Sequence, residues 1–275
     1  MVTFRFEFEE DPTGFEVVPL HDVHFGSVFC QERLLRKIRD YVKENEKVYF
    51  YLGGDMAEFI PPKERRFEAS TLPEKFKDNL DKLLTYSVEY VADFFEPIKD
   101  KCLFVLSGNH EAKYYKDLSF DFVGLLAKLL GVGNWTHSYE ALVKFLFRHN
   151  KRTYSFDLYV HHGFGGGRKK GSLINNLEDL AKNYAADVYV CGHAHRLAFS
   201  TDPHYEMNNA GTVLLEKERL FVRVGGFRKS RAEVPSYEEK LGYPPNAVGT
   251  VSFYVAGITG SSKGKVLKLK PKLIS

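Results

Sequence analysis

Apolar residues along the chain keep one period for a stretch and then change it, and each change marks an element. Residues 16–24, EVVPLHDVH, form a β-branched run that predicts a strand. Behind it, Leu34, Leu35, Ile38, Tyr41 and Val42 return at helical spacing and predict an amphipathic helix over 32–45. Residues 47–55, KVYFYLGGD, read as a second strand, and residues 56–72 as an excursion off the sheet. From Pro73 to about Lys99, the spacing of Phe76, Leu80, Leu83, Leu84, Val88 and Val91 predicts one helix, with Pro73 suited to its first turn. A third strand covers 102–111, and a further helix covers 117–131, ending at Gly131.

Beyond Gly131 the rhythm changes. Residues 140–163 read as two strands around the turn His149–Arg152, followed by a helix over 173–186 and a strand at 187–191. The tail is strand-rich, with runs at 211–216, 219–226, 249–257 and 264–272. Alternating strands and helices followed by a mostly β half place the chain in the α/β class, as a two-sheet sandwich flanked by helices. It reads as a single domain over 1–275 whose motifs lie in about 16–200. The irregular segment 225–249 is long enough to cap a site or to join two copies in a homodimer.

Composition changes this picture little. With 44% hydrophobic and 15% aromatic residues the chain can fill a large core, and a net charge of +3 is too balanced to name a polyanionic partner. The three cysteines Cys30, Cys102 and Cys191 are odd in number and lack CxxC spacing, which points to a reducing, cytoplasmic setting. Residues 1–15 alternate charged and aromatic residues without the apolar core of a signal peptide, and no run reaches the ~18 apolar residues of a membrane span, so no membrane partner is expected.

Candidate chemistry is concentrated at strand ends. In order they carry Asp22-Val23-His24, Gly54-Asp55, Gly108-Asn109-His110-Glu111, His161-His162-Gly163 and Gly192-His193-Ala194-His195. Ligands bind at the carboxyl ends of strands in open α/β sheets, so these blocks converge if the strands are neighbours. His193 and His195, two apart in extended chain, project together. Carboxylate, amide oxygen and imidazole without cysteine suit a divalent ion, manganese first, with iron, zinc, nickel or cobalt as alternatives. There are more ligands than one ion needs. An Asp able to bridge suggests two ions about 3.5–4 Å apart.

Taken together, D-x-H, GD, GNH(D/E), H and GHxH in this order resemble the calcineurin-like metallophosphoesterases. The resemblance implies a four-layer α/β/β/α sandwich of two mixed sheets, a dinuclear centre, and hydrolysis of phosphate monoesters or diesters. It gives Asp22, His24 and His195 to one ion, Asn109, His162 and His193 to the other, and Asp55 to both. His162 is taken over its neighbour His161 because the family's ligand directly precedes Gly. A metal-bridging hydroxide would attack phosphorus in line while His110 faces the phosphate and protonates the leaving oxygen or stabilises its charge.

Other residues carry weaker signals. Glu58, three after Asp55, stands where an acid orients the catalytic His in the protein-phosphatase branch; a solvated loop Glu is the alternative. That branch's GDxVDRG is not reproduced, which disfavours a phosphoprotein substrate. Residues 163–172 lack the Gly-Lys-Ser/Thr of a nucleotide-triphosphate loop, but Arg168 within them could meet substrate phosphate from a Gly-rich lip. His21, His137, His149 and His204 read as surface or capping residues, and Trp135 as a loop anchor. Tyr114 and Tyr115 read equally as pocket wall or packing. The expected substrate is a small-molecule or nucleotide-like phosphate ester. A DNA nuclease of the double-strand-break repair type, which would make nucleic acid the partner, is the alternative, followed by a non-enzymatic scaffold.

Overall fold

The computed structural model describes every residue except 59–66, 165–169, 209, 241, 243–244 and 262–263. Its first sheet runs β1 (Val2–Phe8), β5 (Glu140–His149), β6 (Arg152–His161), β7 (Val188–Cys191), β9 (Leu214–Arg223), β8 (Ala198–Met207). The second runs β11 (Gly264–Ile274), β10 (Thr250–Ser261), β2 (Glu16–Leu20), β3 (Val48–Leu52), β4 (Cys102–Val105). Strands β2, β3 and β4 are parallel, as are β6, β7 and β9, while β5–β6, β8–β9 and β10–β11 pair antiparallel. Both sheets are therefore mixed.

Side-chain alternation divides the core into layers. Val17, Tyr51 and Phe104 of the second sheet meet Val143, Phe145, Leu158, Val160 and Val190 of the first. Their neighbours Val18, Phe50 and Leu52 point the other way, onto α1 (Glu32–Glu44), α3 (Leu83–Phe95) and α5 (Phe122–Leu130). On the far side Tyr159, Tyr189, Cys191 and Phe221 pack on Leu177 of α6 (Lys170–Leu180). Three apolar interfaces make four layers, α/β/β/α. Strands buried on both faces read as near-continuous apolar runs, which is why β2 and β7 have no exposed residue.

Several elements differ from the pattern-based expectation. Residues 73–99 are not one helix: α2 (Glu74–Lys77) stops before Asn79, whose φ of −124° leaves the helical region, and α3 starts afresh at Leu83. Helix α4 (Asn109–Leu118) begins inside the third motif, where no apolar period announces it. The runs at 211–216 and 219–226 join into the single strand β9, and β8 pairs with it along its whole length. The amino-terminal alternation of charge and aromatics is strand β1, parallel to β5. Asn150 and Lys151 both take positive φ, the geometry of a tight two-residue hairpin between β5 and β6. No helix among the described residues is long and apolar enough to cross a membrane.

Candidate metal centre

Parallel strands from both sheets end on the same side of the sandwich and deliver their terminal loops to one place. The loops after β2 and β3 continue side by side, with Asp22 N donating to Gly54 O at 3.0 Å and His24 N to Asp55 O at 3.1 Å. Close approach explains the glycines. A Cβ on Gly54 (φ +98°) would stand 2.7 Å from His162 Nδ1, and one on Gly192 would stand 2.6 Å from Asp22 Oδ2.

Two groups of ligand atoms that share Asp22 result, each within 4.8 Å: Asp22 with His24 and His195, and Asp22 with Asp55, His162 and His193; a third, His24 with Glu58 and His110, shares His24 with the first. Asn109 Oδ1 lies 3.2 Å from His162 Nε2 and adds an amide oxygen to the second group. His162 is buried and faces the cluster, whereas His161 turns away and accepts a hydrogen bond from Gly163 N. Asp22 belongs to both groups, and Asp55 to one. Backbone strain is concentrated here: Asp22, His24, Asp55, His193 and His195 all have φ between +49° and +66°. Non-glycine residues hold that conformation only where their surroundings enforce it, at about 1–3 kcal/mol each.

Charge distribution is uneven across the cluster. Burial opposes ionisation of Asp22, but the imidazole of His195, with Nε2 3.4 Å from Oδ1, holds the carboxyl below the usual range. Burial likewise works against a charged His162, yet the Asp55 carboxylate at 3.4 Å raises it to about 10. His24 and His193 are lowered, chiefly by burial. A cation would meet carboxylates kept ionised and, at His24 Nε2, a buried atom without a hydrogen-bond partner among the described residues. Oxygen and imidazole donors, strained into convergence and partly unpaired, fit divalent ions.

The supporting residues were only partly anticipated. Glu58 is no solvated loop acid: its side chain is only 12% exposed, and its carboxylate sits 2.6 Å from His24 Nδ1, with Arg228 Nε at 3.7 Å. It thus engages His24 directly, and ligand atoms of Glu58, His24 and His110 all lie within 4.8 Å of one another. His110 Nε2 lies 4.0 Å from Asp55 Oδ2, and its main-chain N–H donates to Asp55 Oδ1 at 2.9 Å. Glu111 accepts from Gly108 N, Asp55 N and Met56 N at 2.7–2.9 Å and so ties the second and third motifs together. Its spacing from Gly108, an N-cap followed three residues later by Glu, is the sequence signal that could have found both this clamp and α4.

Segment 225–249 reaches the site. Phe227 N donates to Asp22 O, Ala247 N to His195 O, and Asn246 Nδ2 lies 3.4 Å from His195 Nδ1. His21 is fully buried, not a surface residue, with Nε2 3.2 Å from Tyr51 Oη and a pKa lowered to about 3 by burial. Its side chain points into the interior, toward Tyr51. Arg168 lies outside the described residues.

Solved structures resembling the chain include a single-substitution variant of Vps29 from Entamoeba histolytica, at 9% identity and TM-score 0.41, covering 94% of this chain and 99% of that one. A predicted phosphoesterase from Streptococcus pneumoniae matches at 11% identity and TM-score 0.32, covering 95% and 90%. Zinc-complexed wild-type Vps29 from Entamoeba histolytica matches at 11% and 0.26, covering 82% and 98%. None of the curated proteins matches in sequence. The sequence profile of the calcineurin-like phosphoesterases, however, matches residues 21–197, well over half the chain and every block of the site. This chain belongs to the calcineurin-like phosphoesterase family.

Proposed function

We propose that the protein is a dinuclear metal-dependent hydrolase of phosphate esters. The observation that supports this most is the pair of overlapping ligand groups, joined through a carboxylate and partly unpaired. Asp22, His24 and His195 would hold one ion, and Asn109, His162 and His193 the other. Asp22 is common to both groups by position; the shared place is given to Asp55 by the family resemblance, with Asp55 Oδ2 3.4 Å from His162 Nε2 and 4.0 Å from His110 Nε2. The chemistry such ions supply is Lewis acidity, lowering the pKa of a water and neutralising phosphate oxygens.

The chain's own residues do the rest. The carboxylates of Asp22 and Asp55 remain ionised despite burial, because imidazoles stand against them. His110, part-exposed between His24 and Asp55, is placed to give a proton to the leaving oxygen. Glu58 and Glu111 would act as positioning residues, one on His24 and the other on the Asp55 loop.

The test is elemental analysis of manganese-loaded protein alongside a substrate panel. The panel comprises p-nitrophenyl phosphate, its bis ester, cyclic nucleotides, and single- and double-stranded DNA. Two ions per chain and hydrolysis of at least one ester are expected. Full activity with one tightly held ion would overturn the dinuclear assignment, and no hydrolysis of any ester would overturn the function. Cleavage of double-stranded DNA alone would favour the nuclease.

A further inference from the structure

Beside the metal centre runs a short extended segment whose rings have no role in holding ions. In residues 135–139, WTHSY, exposure alternates, and Trp135, His137 and Tyr139 all lie on the open side. Trp135 is 38% exposed and Tyr139 37%. Thr136 N donates to Val105 O at 3.1 Å, Ser107 N to Ser138 O at 3.3 Å, and His162 N to Tyr139 O at 2.6 Å. The backbone is therefore fixed to the ends of β4 and β6. Tyr115 of α4, 51% exposed, lies over His137 at 4.6 Å and 34°, and Trp135 meets the same ring edge-on at 5.3 Å. At the near end the Tyr139 ring is 6.3 Å from that of His162.

The residues between the rings are Thr136 and Ser138, with no aliphatic side chain among them. An acyl chain or apolar peptide would be met by aliphatic surface, whereas flat rings spaced by hydroxyls suit flat, polar-edged ligands. Four residues of extended chain span about 13 Å, room for more than one stacked ring. Base–aromatic stacking tolerates any base because each has a π face, and rings held by a rigid backbone lose little entropy on binding.

We infer that the centre acts on phosphate esters carrying a nucleobase, with the phosphate at the ligand groups and the base on the ladder Tyr139–His137–Tyr115–Trp135. This rests on the phosphoesterase reading and narrows it. The same chemistry is offered by a mononucleotide and by the unpaired end of a single strand.

Trp135 is the only tryptophan in the chain, so its emission reports the ladder directly. Metal-loaded protein is mixed rapidly with AMP, tetrathymidylate or ribose 5-phosphate while emission is followed, and affinities are measured by calorimetry. Quenching by AMP or by tetrathymidylate, with ribose 5-phosphate bound roughly 5- to 100-fold more weakly, is the expected result. The stronger of the two quenchers identifies the source. In Tyr115→Ala and Tyr139→Leu proteins that preference should collapse towards unity. Equal affinity for AMP, tetrathymidylate and ribose 5-phosphate, or no quenching by the base-bearing ligands, overturns the inference. Turnover of p-nitrophenyl phosphate and its bis ester is recorded in parallel: failure there strikes the phosphoesterase reading, and success there with no base preference strikes only the ladder.

Discussion

On one side of the centre His24 and His195 are steadied by side chains: Glu58, backed by Arg228, stands against His24, and Asn246 against His195. On the other side His162 and Asp55 are steadied from within the motif loops, by main-chain atoms and by the Glu111 carboxylate that accepts from Asp55 N. His162 Nδ1 lies 2.9 Å from Gly53 O, and Asp55 Oδ1 accepts from His110 N. Glu58, Arg228 and Asn246 lie outside the motifs, while the braces of His162 and Asp55 lie in the motif loops. Second-layer partners of ligand imidazoles tune affinity. The first half should therefore respond to single substitutions outside the motifs, and the second should not.

The largest effect is expected where the halves meet. Asp55→Asn should lose both ions, read by elemental analysis, and bring ester hydrolysis to background; retention of one ion would move the shared position to Asp22. Next comes His110→Ala. The main-chain N–H that holds Asp55 survives this change, so ion content should persist while turnover falls roughly 10²–10⁴-fold. The loss should shrink for p-nitrophenolate, a leaving group that needs little protonation.

Glu58→Gln sharpens the contrast. Affinity for the ion near His24 should drop about 10- to 100-fold, with the ion near His162 retained, as anomalous scattering would locate it. Equal weakening of both would erase the distinction between the halves. The gentlest effect is on pH. His162 is raised from 6.5 to about 10 in the metal-free fold. The stability it contributes there is fully present below pH 6.5 and lost as pH climbs through about 10. Ions compete for the same nitrogen, so their uptake should release protons and tighten as pH rises, measurable by titration in unbuffered solution.

The same contrast explains what could be read from the chain. Asp22, His24, Asp55, Asn109, His162, His193 and His195 lie at strand ends, which were legible from local apolar period; that these ends meet came only with the order of the motifs and the family they resemble. The layers were legible too, because Val17 and Val18, or Tyr159 and Val160, serve opposite faces. Glu58, Arg228 and Asn246 meet only through tertiary folding, and no spacing links positions 58 and 228. His21 was misjudged because alternation gives a side chain's direction but not whether that direction is solvent or core. Helix α4 escaped notice because its first turn consists of the motif residues themselves.

Left-handed backbone at five functional side chains also sets two selective pressures against each other. Wherever ion binding ceased to matter, drift towards Gly or Asn at Asp22, His24, Asp55, His193 and His195 would relax the loops and leave a sturdier, inert sandwich. A search for heat-resistant variants scored on folding alone should therefore enrich changes at these five positions. The same search scored on turnover should leave them untouched and find its gains in the distant hairpins.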